Sequence, residues 1–160
     1  MKKEEIVLGL TRLALGFILL WAFLDKLLGL GFSTLPEKSW IMGNSPTAGF
    51  LSNTSGIFSN LFQQLSGSII VDWLFMLGLL LIGLALILGI GVKIAGYSGA
   101  LLMLLMWLAS ILPKNNPIID DHIVYGLLLL LFTTLPVGNW IGLGKYWKKL
   151  DLVKQNSWLQ

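Results

Sequence analysis

The chain contains no cysteine and a single histidine. The first absence excludes thiol–disulfide chemistry, iron–sulfur ligation and thiolate zinc sites within the chain. With only His122, one copy cannot hold a haem between two histidines. Charge is scarce as well: 12% of the 160 residues are charged, against about 25% in soluble domains. What fills the space is apolar, with 56% hydrophobic residues and a mean hydropathy of +0.81. So few charges cannot cover the surface of a soluble folded monomer of this size. The net charge of +3 is small and unevenly placed along the chain. It reads as membrane topology and not as nucleic-acid binding.

A spanning helix needs about 20 mostly apolar residues. The sequence predicts four spans, over residues 4–29, 69–88, 93–112 and 120–135, the fourth short and extended by the turn around Pro136 and Gly138. Lys2 and Lys3 before an apolar run imitate a signal peptide. That run continues to Gly31 and no small-x-small cleavage site is clear, so a retained first helix is expected. Gly89-Ile90-Gly91 separates the second and third spans, and Pro113 and Pro117 stop the third. Asp120 and Asp121 suit the first turn of the fourth, where free N–H groups and the helix dipole favour negative charge. The expected architecture is all-α: a single integral membrane domain, a four-helix bundle.

Residues 32–68 differ in character. Polar residues alternate with Trp40, Phe50, Phe58 and Phe62, and Ile57, Phe58, Leu61, Phe62 and Leu65 share one helical face. An amphipathic cap on the outer face of the bundle is expected, with an ordinary ordered loop as the alternative. Lys2, Lys3, Lys93, Lys145, Lys148, Lys149 and Lys154 gather on one side, against Lys38 and Lys114 on the other with Lys26 near the boundary. The positive-inside rule then places both termini in the cytoplasm, in a multi-pass plasma-membrane protein. Residues 139–160, with Trp140, Trp147 and Trp158 among basic residues, form an interfacial tail drawn to anionic lipid.

Ionisable groups within a span are functional suspects. Arg12 lies well inside the first span. It must snorkel to the inner headgroups or meet an anion, a carbonyl or a polar ligand. Lys26 follows fourteen residues later, about 21 Å along the axis and within about 40° of the same stripe. Asp72 opens the second span, while Asp120, Asp121 and His122 open the fourth, with Tyr125 one turn on. With Lys26 these groups suggest an outward-facing polar pocket. Its cations would hold an anion, its histidine would move a proton and its tyrosine would orient a ligand. The alternative is that the aspartates cap the helix and His122 sits among headgroups. Asp120, Asp121 and His122 have no recognised metal-ligand spacing, and no metal is expected. Gly91, Ala95 and Gly99 permit close helix packing. Met103, Met106 and Trp107 read as core in preference to a quinone lining.

Several segments together resemble the DoxX family, and within it the DoxD-like subunits associated with thiosulfate:quinone oxidoreductase. These are Leu10-Thr11-Arg12-Leu13 with Gly16 and Asp25-Lys26-Leu27, Ser45 to Leu51, Val71-Asp72-Trp73-Leu74, Gly89 to Gly96, and Asn115 to His122 with Tyr125. The resemblance implies a membrane subunit passing electrons from thiosulfate to membrane quinone, with quinone as substrate or bound ligand and no haem, iron–sulfur or metal centre in this chain. It also implies His122 and Tyr125 as catalytic candidates, and Arg12, Lys26, Asp72 and Asp121 as substrate- or quinone-binding candidates. Besides the lipid bilayer, the expected partners are a second oxidoreductase subunit and further copies of the chain. The competing expectation is a non-catalytic scaffold, or a binder of lipid or a small hydrophobic molecule.

Overall fold

A computed structural model describes residues 1–111, 116 and 118–159. The expected end of the third span at Leu112, the Pro113 and Pro117 stops, the outer charge of Lys114 and the motif residue Asn115 lie outside the described residues. All regular structure among the described residues is helical. The long helices are α1 (Lys3–Leu28), α4 (Ile69–Leu88), α5 (Val92–Ala109) and α6 (Asp121–Thr134). Two short helices, α2 (Ala48–Ser52) and α3 (Ser59–Gln64), lie between the first two of these. Two more, α7 (Gly144–Trp147) and α8 (Asp151–Gln155), follow α6.

Helices α1, α4 and α5 are long and apolar enough to cross a membrane. At 1.5 Å per residue they measure about 39, 30 and 27 Å, against a hydrocarbon core of about 30 Å. The fourth expected span is shorter: α6 is an apolar helix of 14 residues, or about 21 Å. It stops at Thr134 because Leu135 precedes Pro136. The proline ring pushes the preceding residue out of the helical region, and Leu135 is extended, at φ −120° and ψ 148°. A single 3-10 turn at Val137–Asn139 follows.

Helix ends follow local chemistry. Glu4 and Glu5 occupy the first turn of α1, and Lys2 N donates to Glu5 Oε2 at 2.9 Å. Gly89 closes α4 at φ +74°, a left-handed conformation that only glycine adopts without strain. There its N–H donates to Ala85 O at 2.8 Å.

The long helices pack antiparallel in chain order, α1 on α4, α4 on α5 and α5 on α6. Glycines set the close approaches. A Cβ on Gly83 would lie 2.9 Å from Leu20 N, and one on Gly16 2.9 Å from Leu86 Cβ. Between α5 and α6, Gly96 faces the Leu129 carbonyl and Gly99 faces the Leu129 side chain. Of the expected small-residue stripe, Ala95 and Gly99 are buried in this seam. Gly91 instead caps α5 at φ +57° with open space around its Cβ position. The shared core joins Leu15, Leu19, Met76, Ile82, Met103, Leu129 and Phe132. Met103 thus belongs to the core, as its position in the periodicity predicts. The outward faces carry exposed Phe17, Leu74, Leu81, Leu101 and Leu127. A contiguous apolar surface of this kind suits lipid and not water.

In the connection between α1 and α4, Phe62 and Leu51 pack on Ala109. Ile57, Leu61 and Leu65 from the expected apolar face stay exposed.

Candidate functional site

The polar groups expected at the outer end come from three elements. The first is the entry to α6. Asp120 is its N-cap, accepting from Ile123 N at 3.3 Å through Oδ1. Its other oxygen lies 2.7 Å from His122 Nδ1, and Asp121 Oδ1 lies 3.7 Å from the same nitrogen. One carboxylate therefore caps the helix and orients the imidazole. Tyr125, one turn on, is half-buried against the core. Trp107 Nε1 donates to Ile118 O at 2.8 Å, which ties α5 to the segment entering α6.

Asp120, Asp121 and His122 offer donor atoms within 4.8 Å of one another. Asp120 is already occupied on both oxygens, and Asp121 is exposed. The local hydrogen bonds thus account for the cluster without an ion.

Asp72 is the second element. It is buried in the first turn of α4 and accepts from Ser45 Oγ at 2.8 Å and Thr47 Oγ1 at 2.5 Å. Ser45 Oγ also receives Ala48 N at 3.0 Å, at the start of α2. Trp40 and Trp73 meet edge to face above it, 4.7 Å between centroids. The carboxylate is the anchor by which the connecting segment is held to α4.

Asp25 and Lys26 are the third. Asp25, 1% exposed, accepts from Phe32 N at 3.2 Å, Ser33 N at 2.9 Å and Ser33 Oγ at 2.6 Å. It folds the chain back at the end of α1. Lys26 is half-buried. Among the described residues no hydrogen bond or salt bridge joins Lys26 or Asp72 to His122 or Tyr125. Asp120, Asp121 and His122 are the groups brought together.

Arg12 sits at the opposite end and does not snorkel. It is fully buried, with Nη1 donating to Ile87 O at 3.3 Å and Nη2 to Ile141 O. The first acceptor belongs to the last turn of α4, the negative end of that helix dipole. Glycines make room for the guanidinium: a Cβ on Gly89 would stand 3.2 Å from Nη1, and one on Gly142 3.1 Å from Nη2. Periodicity does not reveal this seat, whose glycine walls, Gly89 and Gly142, lie far apart in the sequence. The roles of Ser45 and Thr47 were also missed. Hydroxyls in a polar segment carry no periodic signal that would single them out.

Two cavities lie at the Arg12 end of the packed helices, and neither is lined by Lys26, Asp72, His122 or Tyr125. No family model, curated protein or solved structure matches the chain.

Proposed function

We propose that this chain is a four-pass plasma-membrane protein with both termini cytoplasmic, and that it works without catalysis by binding a lipid or small hydrophobic molecule. The observation that carries this reading is the fate of the buried charges. Both Nη atoms of Arg12 and the carboxylates of Asp25 and Asp72 are spent on the chain's own carbonyls, amides or hydroxyls, while Arg12 Nε has no partner among the described residues. A site built for a reacting anion keeps such groups facing a cavity. The fourth crossing is α6 together with the turn at Val137–Asn139, which lengthens its apolar path beyond the 14 helical residues. Native mass spectrometry of the detergent-solubilised protein tests the binding role. A retained lipid or hydrophobic ligand is expected, and a protein that flies free of any adduct after gentle extraction contradicts it.

A second reading is favoured by the His122–Asp120 pair. An imidazole held at 2.7 Å by a carboxylate, with Tyr125 one turn away, is suited to take up or release a proton. With the DoxX resemblance, it supports a quinone-linked subunit that would receive electrons from thiosulfate with a partner subunit carrying the donor site. In that case purified protein, alone or with its partner, should reduce quinone in a thiosulfate-dependent way. His122→Ala should lower that rate by about a hundredfold, the scale of general acid–base catalysis. Absence of thiosulfate-dependent turnover in both preparations would remove this reading.

A further inference from the structure

At the end opposite His122, a cavity of about 220 Å³ opens between the α4–α5 turn, the end of α6 and α7. Its wall carries two cations from separate elements, Lys93 in the first turn of α5 and Lys148 just beyond α7, with Trp147 beside them. Gly89 lines the cavity too, and the Arg12 guanidinium stands directly behind that glycine. No carboxylate is among the lining residues. The cavity is therefore cationic on every charged side. Asn139 is on the wall as well.

A second, apolar groove of about 320 Å³ runs along the outside of α5, lined by Ile94, Tyr97, Ser98, Trp158 and again Lys93. Lys93 thus stands between a polar cationic cavity and an apolar groove. A free anion would use only the first. An amphiphile with a charged head and a hydrocarbon chain would use both. The polar cavity has the volume of about seven waters at about 30 Å³ each, enough for a phosphate and a short hydroxylated arm.

We infer that this paired site binds an anionic glycerophospholipid of the inner leaflet. The phosphate sits between Lys93 and Lys148, and an acyl chain lies along Ile94 and Tyr97. The inference deepens the binding role proposed above and rests on it.

The test is native mass spectrometry of the full chain in detergent, titrated with phosphatidylglycerol, phosphatidylcholine or inorganic phosphate. Detergent removes the general attraction of a charged bilayer, so site contacts remain. A charge-assisted hydrogen bond from each lysine to the phosphate contributes roughly tenfold or more in affinity. The double variant Lys93→Gln/Lys148→Gln should weaken phosphatidylglycerol by about a hundredfold on that scale. Lys93→Arg/Lys148→Arg, which keeps both charges, should restore most of the loss, and this separates lost contacts from a lost fold. Lys145→Gln/Lys154→Gln, in the tail but off both walls, should change binding by less than about twofold, since neither ammonium lines the site. Phosphatidylcholine, which lacks net charge, should bind more weakly. Equal weakening by the tail pair would overturn the site, as would inorganic phosphate displacing the lipid at millimolar concentration. A bound hydrophobic molecule indifferent to Lys93 and Lys148 would overturn this inference and leave the broader binding role standing. Absence of any bound amphiphile would end both.

Discussion

Arg12 is fully buried, and among the described residues no carboxylate pairs with it. Its charge is met by carbonyls instead, one at the dipole-negative end of α4 and one at Ile141 in the turn before α7. The side chain thus fastens three parts of the chain that are far apart in sequence. Arg12→Met would strip both carbonyls of a donor, and each buried unsatisfied acceptor costs about 1–3 kcal/mol. A loss of roughly 2–6 kcal/mol in unfolding stability in detergent is expected on that scale. Arg12→Lys should recover only part of it, since an ammonium lacks the planar fork that reaches two acceptors at once. Lys26→Met, at a half-buried position without such partners, is the comparison and should cost less than about 1 kcal/mol. Equal unfolding midpoints for Arg12→Met and the parent protein would show that the guanidinium does not fasten these elements.

At the scale of elements, the helices are held by contact between backbones as much as between side chains. Without a hydrophobic drive between helices in lipid, small residues that permit close approach supply the packing. Gly83 shows this in α4, where a methyl group would meet the backbone of Leu20 at 2.9 Å. Gly83→Ala should therefore destabilise by about 1–3 kcal/mol through overpacking. Gly78, on the same helix, has only Leu102 Cδ2 within reach, at 3.7 Å. There alanine should be neutral or stabilising, by up to about 1 kcal/mol from helix propensity. Thermal unfolding of the two variants side by side reads the difference, and equal effects would mean that the α1–α4 seam is looser than these distances.

For the molecule as a whole, its exposed apolar faces and three helices of spanning length make a lipid environment the natural one. The proposed topology gives a sharp expectation, helped by the absence of native cysteine. A cysteine placed at Lys38 should react with an impermeant thiol reagent in intact cells. One placed at Lys154 should react only after the membrane is opened. If α6 does not cross, Lys38 and Lys154 will label from the same side, both from outside or both from inside.

The apolar runs and their breaks were legible in the sequence because spanning length and glycine or proline punctuation are local properties. The second span, Ile69–Leu88, has the expected bounds, and the first differs by one residue at each end. The fourth span was legible to the same margin, Asp121–Thr134 against the expected 120–135, because Pro136 ends the helix by local sterics at Leu135. The capping role of Asp120 was also readable, because a cap is made with residues three positions away. What Asp25, Asp72 and Arg12 bind was not. Their partners lie seven to 129 positions along the chain, and no periodicity links residues so far apart. By itself the sequence determined that this chain is helical and suited to lipid, because hydropathy and helix length require no knowledge of neighbours. Only the tertiary structure decided that the charges inside the spans serve as fasteners, and that Lys93 and Lys148 meet across one cavity. Both depend on which helix ends the packing brings together.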